Sequence, residues 1–187
     1  MFADRAVELA SPDLNVPTFR QLSLAAMLER VDRLDAEEGD EDGWAFVGSS
    51  LGGWLAARWA ELHPDRARRL LLLCPAFDIA ARWPALLPAG AMAMWRRGSL
   101  LLPDGTGTPQ PVHYGFYEEA LAQPAFPGVS CPTTIVHGRG DDRVPIDSSR
   151  GYVAAHPHVR LVEVEDGHDL VASLDRVERE ALALLEP

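Results

Sequence analysis

Trp44-Ala45-Phe46-Val47-Gly48-Ser49-Ser50-Leu51-Gly52-Gly53 decides the fold of this chain. The first four residues are an apolar run of the length of a buried strand. Gly48 to Gly52 then reads G-x-S-x-G, and a helical pattern runs from Leu51 to about Leu62. A strand therefore enters a tight turn and leaves it as a helix. Glycines on both flanks let the turn take strained dihedrals and let its two arms approach closely. Such a turn lifts the Ser50 hydroxyl to the top of a sheet, beside a helix N-terminus whose free N–H groups favour developing negative charge. The five-residue pattern is weak evidence by itself; its place between a strand and a helix makes it the setting of a nucleophile.

Upstream, Ala6–Ala10 reads as a short strand, with Val7 and Leu9 on one face. Pro12, Asn15 and Pro17 mark a loop. Thr18-Phe19-Arg20-Gln21 has the form of a capping box. The helix it opens carries Leu24, Met27, Leu28, Val31 and Leu34 on one stripe. An acidic run, Asp35 to Asp42, follows and reads as a solvated loop. Downstream, Pro64 ends the helix that starts at Leu51. Arg69–Cys74 contains four consecutive leucines, the pattern of a strand buried on both faces. Thr133–Val136 and Val159–Val164 are further strands, with helices expected around Ser148–Ala155 and over Leu170–Leu185. Between them, 76–129 is dense in proline and glycine with scattered aromatics. It reads as short helices and loops, a cap over one end of the sheet. Strands alternating with helices imply an α/β fold: one domain over 1–187, a three-layer α/β/α sandwich with a mostly parallel sheet.

Composition narrows the function. The chain has 187 residues, 47% of them apolar and 24% charged, as in an ordinary globular domain. A formal net charge of −11 argues against nucleic acid and anionic membrane surfaces as partners, since both need a basic footprint. Cys74 and Cys131 are the only cysteines. Neither belongs to a C-x-x-C pair, and both read as reduced, buried residues. No apolar run is long enough for a membrane span, and no signal peptide is visible, so the expected location is the cytoplasm.

A serine hydroxyl needs a base to accept its proton, and the base needs a group to orient it. Both should leave the carboxyl ends of later strands, the edge that carries Ser50. Two segments do so: His137-Gly138-Arg139-Gly140-Asp141-Asp142-Arg143-Val144-Pro145 and Glu165-Asp166-Gly167-His168-Asp169. Asp141 and Asp142 compete as the acid, and Asp142 could instead cap the turn or pair with Arg139 or Arg143. His137 is expected to pack at the strand end. His156 and His158 form an H-x-H pair without further ligands at metal spacing, so no metal and no cofactor is called for.

With these residues in hand the chain resembles the α/β-hydrolase superfamily, and within it the small bacterial esterases labelled YqiA-like. G-S-S-L-G-G at 48–53, H-G-R-G-D-D-R-V-P at 137–145 and D-G-H at 166–168 carry the resemblance. It implies Ser50 as nucleophile, Asp141 as acid, His168 as base and the Leu51 backbone N–H as one oxyanion donor. The implied activity is hydrolysis of a small-molecule acyl ester or thioester through an acyl-serine. The chain departs from that family in one respect. An apolar strand ending in a His-Gly-Phe type loop, which would supply the second oxyanion donor, does not precede Ser50. In the family it lies between the strands matching Ala6–Ala10 and Trp44–Val47. An unrecorded upstream segment, a natural truncation with reduced activity, or a substitute donor would each account for this, and the first is favoured here because everything downstream looks intact. Other readings are a catalytically silent fold that binds a ligand, or a C–C bond hydrolase or peptidase.

Overall fold

The computed structural model describes residues 8–104 and 106–184. Four strands form the main sheet: β1 (Trp44–Ser49), β2 (Ala67–Leu73), β3 (Thr133–Gly138) and β4 (Val159–Val164). All are parallel, in spatial order β1-β2-β3-β4. The register sets Phe46 against Leu70, Val47 against Leu71 and Leu72 against Ile135. Side chains alternate across a strand, so Leu70 and Leu72 enter one core and Leu71 the other, and all three are fully buried. The leucine run thus has the two-faced burial its composition predicts.

The larger core lies under α1 (Leu24–Glu38), α2 (Leu51–Leu62) and α6 (Asp147–Ala155). The smaller lies under α7 (Leu174–Ala183). Helices on both faces give the three-layer sandwich. The stripe expected on the first helix is its buried face: Leu24, Met27, Leu28, Val31 and Leu34. Its start differs from expectation. Thr18 caps only a 3-10 turn over Phe19–Gln21. α1 is capped by Ser23, whose hydroxyl accepts from the Ala26 N–H at 3.2 Å. Glu119 adds a carboxylate at the same end, accepting from the Ala25 N–H at 2.6 Å, where the helix dipole favours negative charge.

The 76–129 segment holds α3 (Ile79–Leu86), α4 (Ala91–Arg97) and α5 (Gly115–Ala122). It also holds an antiparallel hairpin, Ser99–Pro103 with Pro109–His113, that local composition did not foretell. Its aromatics pack on one another: Trp83 meets Trp95 edge-on at 5.2 Å between centroids. The Trp95 indole N–H donates to the Val112 carbonyl at 2.9 Å, and that of Trp54 to Pro124 at 2.9 Å. The first bond ties α4 to the hairpin, and the second ties the 76–129 segment to α2.

Of the strand expected over Ala6–Ala10, residues 6 and 7 lie outside the described residues and 8–10 form no strand; Leu9 is exposed. Among the described residues β1 is therefore an edge strand, and Val47 on its outer part is 54% exposed. The final helix is shorter than its pattern. A 3-10 turn takes Val171–Ser173, and Leu185 lies outside the described residues.

The paired residues Leu71 and Val47 provide a contrast. Leu71→Ala is expected to cost about 2–5 kcal/mol, whereas Val47→Thr stays within about 0.5 kcal/mol. Urea denaturation of the two variants measures both.

Candidate active site

Ser50 occupies a left-handed turn, φ 52° and ψ −118°. For a residue with a side chain this conformation costs about 1–3 kcal/mol and persists only where neighbours impose it. Here they do. The Ser50 N–H donates to the Leu73 carbonyl at 2.8 Å, and the Ser50 carbonyl accepts from Gly53, Trp54 and Ala76 at 3.0–3.2 Å. Gly48 makes the turn possible. A Cβ there would lie 2.4 Å from the Gly52 carbonyl oxygen and 2.9 Å from the Gly53 Cα. The first turn of α2 therefore rests directly on the β1 backbone. Leu51 opens α2, so its N–H is one of those a helix leaves without an internal partner.

Two loops beyond β3 and β4 clasp in the same way. The Arg139 N–H donates to the Val164 carbonyl and that of Gly140 to Asp166, each at 2.9 Å. A Cβ on Gly138 would stand 2.4 Å from the Gly167 carbonyl oxygen and 2.5 Å from that of Asp166. The clasp brings the His168 ring to Asp141: Nδ1 lies 2.7 Å from Oδ2. The other carboxylate oxygen, Oδ1, accepts from the backbone N–H groups of Arg143 (2.9 Å) and Val144 (2.8 Å). Burial of Asp141 raises its pKa, but hydrogen bonds from His137, His168, Val144 and Arg143 outweigh this and hold the carboxyl far below the usual range. Asp141 is thus an ionised acceptor, and a ring that donates Nδ1–H to it presents Nε2 as a base.

The adjacent aspartates differ in placement. Asp142 is exposed, while Asp141 both caps the turn and meets His168. The arginines go elsewhere: Arg139 bonds Glu163 and Glu165, and Arg143 bonds Asp169. Ser50 stands at the same sheet edge, but among the described residues no hydrogen bond joins its hydroxyl to His168. The rings of His156 and His158 stand 6.1 Å apart between centroids, and each has a nitrogen beside a backbone carbonyl, of Tyr152 and Val129 respectively.

Cys74 is a site neighbour that sequence reasoning placed only as a buried strand-end residue. It follows β2 with φ 43°, fully buried. Its sulfur, an Asp141 oxygen and a His168 nitrogen lie within 4.8 Å of one another. Burial pushes the thiol up to about 12, so it is protonated at neutral pH. The available signal was positional: Cys74 ends the strand beside the one that carries Ser50.

Comparison with known proteins agrees with this architecture. A family model described as the α/β-hydrolase fold matches residues 5–123. The chain belongs to the α/β-hydrolase family. The human mitochondrial palmitoyl-protein thioesterase ABHD10 is 32% identical over 114 residues, 56% of this chain and 36% of that protein. The rat form is 27% identical over 160 residues, 75% of this chain and 52% of that protein. The chain thus spans about a third to a half of these curated relatives. Among solved structures, a putative hydrolase from Agrobacterium vitis S4 superposes with TM-score 0.72 at 24% identity, covering 88% of this chain and 69% of that one. Est1E from Butyrivibrio proteoclasticus gives 0.64 at 19% identity, with coverage of 87% and 71%. These likenesses reach the superfamily; the YqiA-like subgroup stands on the quoted motifs alone. No described helix is long and apolar enough to cross a membrane. The curated relatives are named as mitochondrial, which lends no support to the cytoplasmic expectation.

In this α/β-hydrolase, a carboxyl held low in the folded state contributes stability above the unfolded aspartate value, near 3.9. That contribution is lost as pH falls, because the unfolded chain then binds the proton more readily. Thermal unfolding should therefore show Tm falling progressively below about pH 5, less steeply in Asp141→Asn. Glu163, lowered to about 2 by Arg150 and Arg139, contributes in the same direction and remains in the variant.

Proposed function

We propose that the chain is a serine hydrolase of small acyl esters or thioesters, acting through an acyl-serine. The observation that carries this reading is the buried Asp141–His168 bond at the sheet edge where the strained Ser50 turn stands. In the proposed reaction His168 Nε2 takes the Ser50 proton as Oγ adds to the acyl carbonyl. Asp141 holds the Nδ1–H and stabilises the imidazolium that forms. The Leu51 N–H donates to the tetrahedral oxyanion. As the carbonyl re-forms, the alcohol or thiol leaves with the proton from Nε2. Water, deprotonated by the same nitrogen, then releases the acid and restores Ser50.

The substrate class is supported by the chemistry beside the turn. An apolar cavity is lined by Leu51, Trp54, Ala76, Ile79, Trp83 and Phe116, among others. Two of its lining residues adjoin Ser50: Leu51 follows it in the chain, and the Ala76 N–H bonds the Ser50 carbonyl. An acyl chain suits such walls. The thioesterase names of the curated relatives point the same way. A second reading, a ligand-binding fold without turnover, draws on the unpaired outer edge of β1 among the described residues. That reading leaves the oxyanion with the single donor assigned here.

A fluorophosphonate probe should label the folded protein, and Ser50→Ala should abolish labelling. The same change should lower kcat/KM on p-nitrophenyl esters by about 10³-fold or more. A panel of acyl chain lengths reads out the cavity. Folded protein that takes no label would favour the binding reading.

A further inference from the structure

The most constrained polar group outside the three residues already given roles is His137, on β3. It is fully buried, as is Ser149 on α6. Its Nε2 lies 2.9 Å from the Val144 carbonyl and 3.2 Å from Asp141 Oδ2. Its Nδ1 lies 2.8 Å from the Ser149 hydroxyl. A backbone carbonyl and an ionised carboxylate can only accept, so Nε2 carries a proton, while Nδ1 faces the Ser149 hydroxyl. Asp141 then has three donors of its own, two backbone N–H groups on Oδ1 and the His168 ring on Oδ2, and shares a fourth, the His137 Nε2–H, with the closer Val144 carbonyl. That is about the number a carboxylate can accommodate.

We propose that His137 is a positioning residue of the site. As a second N–H beside Asp141 Oδ2, shared with the Val144 carbonyl and oriented by Ser149, it fixes the carboxylate so that this oxygen faces His168. The inference rests on the serine-hydrolase reading above. A buried carboxylate must be solvated by something, and here an imidazole N–H and two amides do so with no arginine or lysine in contact. Both neighbouring arginines are indeed engaged with surface acids. The titratable groups facing Asp141 are His137 from β3, His168 from the loop after β4 and Cys74 from the end of β2, with Asp166 beside Cys74.

His137→Phe removes the donor and keeps the bulk of the ring; His137→Gln returns an N–H at the same reach; Ser149→Ala frees the ring. Folding of each is checked by circular dichroism. With p-nitrophenyl acetate, His137→Phe should lower kcat by about 10- to 100-fold, the size of one lost hydrogen bond to a charged group, with KM nearly unchanged. His137→Gln should recover most of the loss, and Ser149→Ala should fall between. The acid limb of kcat/KM should move to higher pH in His137→Phe, because a carboxylate relieved of one donor holds the His168 proton more tightly. The far-downfield proton resonance of the Asp141–His168 bond should shift or broaden in His137→Phe and return in His137→Gln. Should His137→Phe disturb the fold, Ser149→Ala and His137→Gln carry the same comparison. A folded His137→Phe or Ser149→Ala variant with wild-type kcat, pH profile and proton resonance would overturn the proposal. Wild-type protein that takes no fluorophosphonate would overturn the hydrolase reading instead, and the resonance still tests the His137 contact without turnover.

Discussion

All four strands of the main sheet run in the same direction, so the turns that follow them leave from a common edge. Parallel strands cannot be joined by tight hairpins and need helical crossovers on the faces. Those helices bury both faces, and the strand ends become the one place where polar chemistry meets the surface. Ser50 after β1, Cys74 after β2, Asp141 after β3 and His168 after β4 are there for this reason. Cys74 and His168, 94 positions apart in the chain, become neighbours in this way.

Close backbone approach is the second constraint. At Gly48 and Gly138 a side chain would collide with carbonyl oxygens at about 2.4 Å. The first contact sets the Ser50 turn against β1; the second presses the loop after β4 onto the end of β3 and delivers His168 to Asp141. Strain at Ser50 and the burial of Asp141 are both unfavourable locally. Each is sustained by backbone hydrogen bonds that the sheet itself provides.

A buried carboxylate held by amides and imidazoles differs from one held by arginine. The guanidinium groups of Arg139 and Arg143 stand close in sequence to Asp141, yet they face Glu163, Glu165 and Asp169. Asp141 meets the His168 ring instead. Glu180, also buried, is by contrast paired with Arg160 and Arg176.

Local pattern was enough for the order of elements. The leucine run of β2, the α1 stripe and the strand–turn–helix at Ser50 are set by burial periodicity and by glycine, which act within a few residues. The three motifs at one sheet edge followed from the parallel order they imply. Tertiary packing decided what short-range rules cannot reach. It turned the Asp141 side chain inward at the clasp, against His168, and left Asp142 in solvent. It placed His137 between Ser149 and that carboxylate, though the sequence alone suggested a packed ring. It formed the 99–113 hairpin from prolines and leucines with weak local preference. It also left 8–10 outside any strand, because a few alternating apolar residues become a strand only when another strand and a buried face await them.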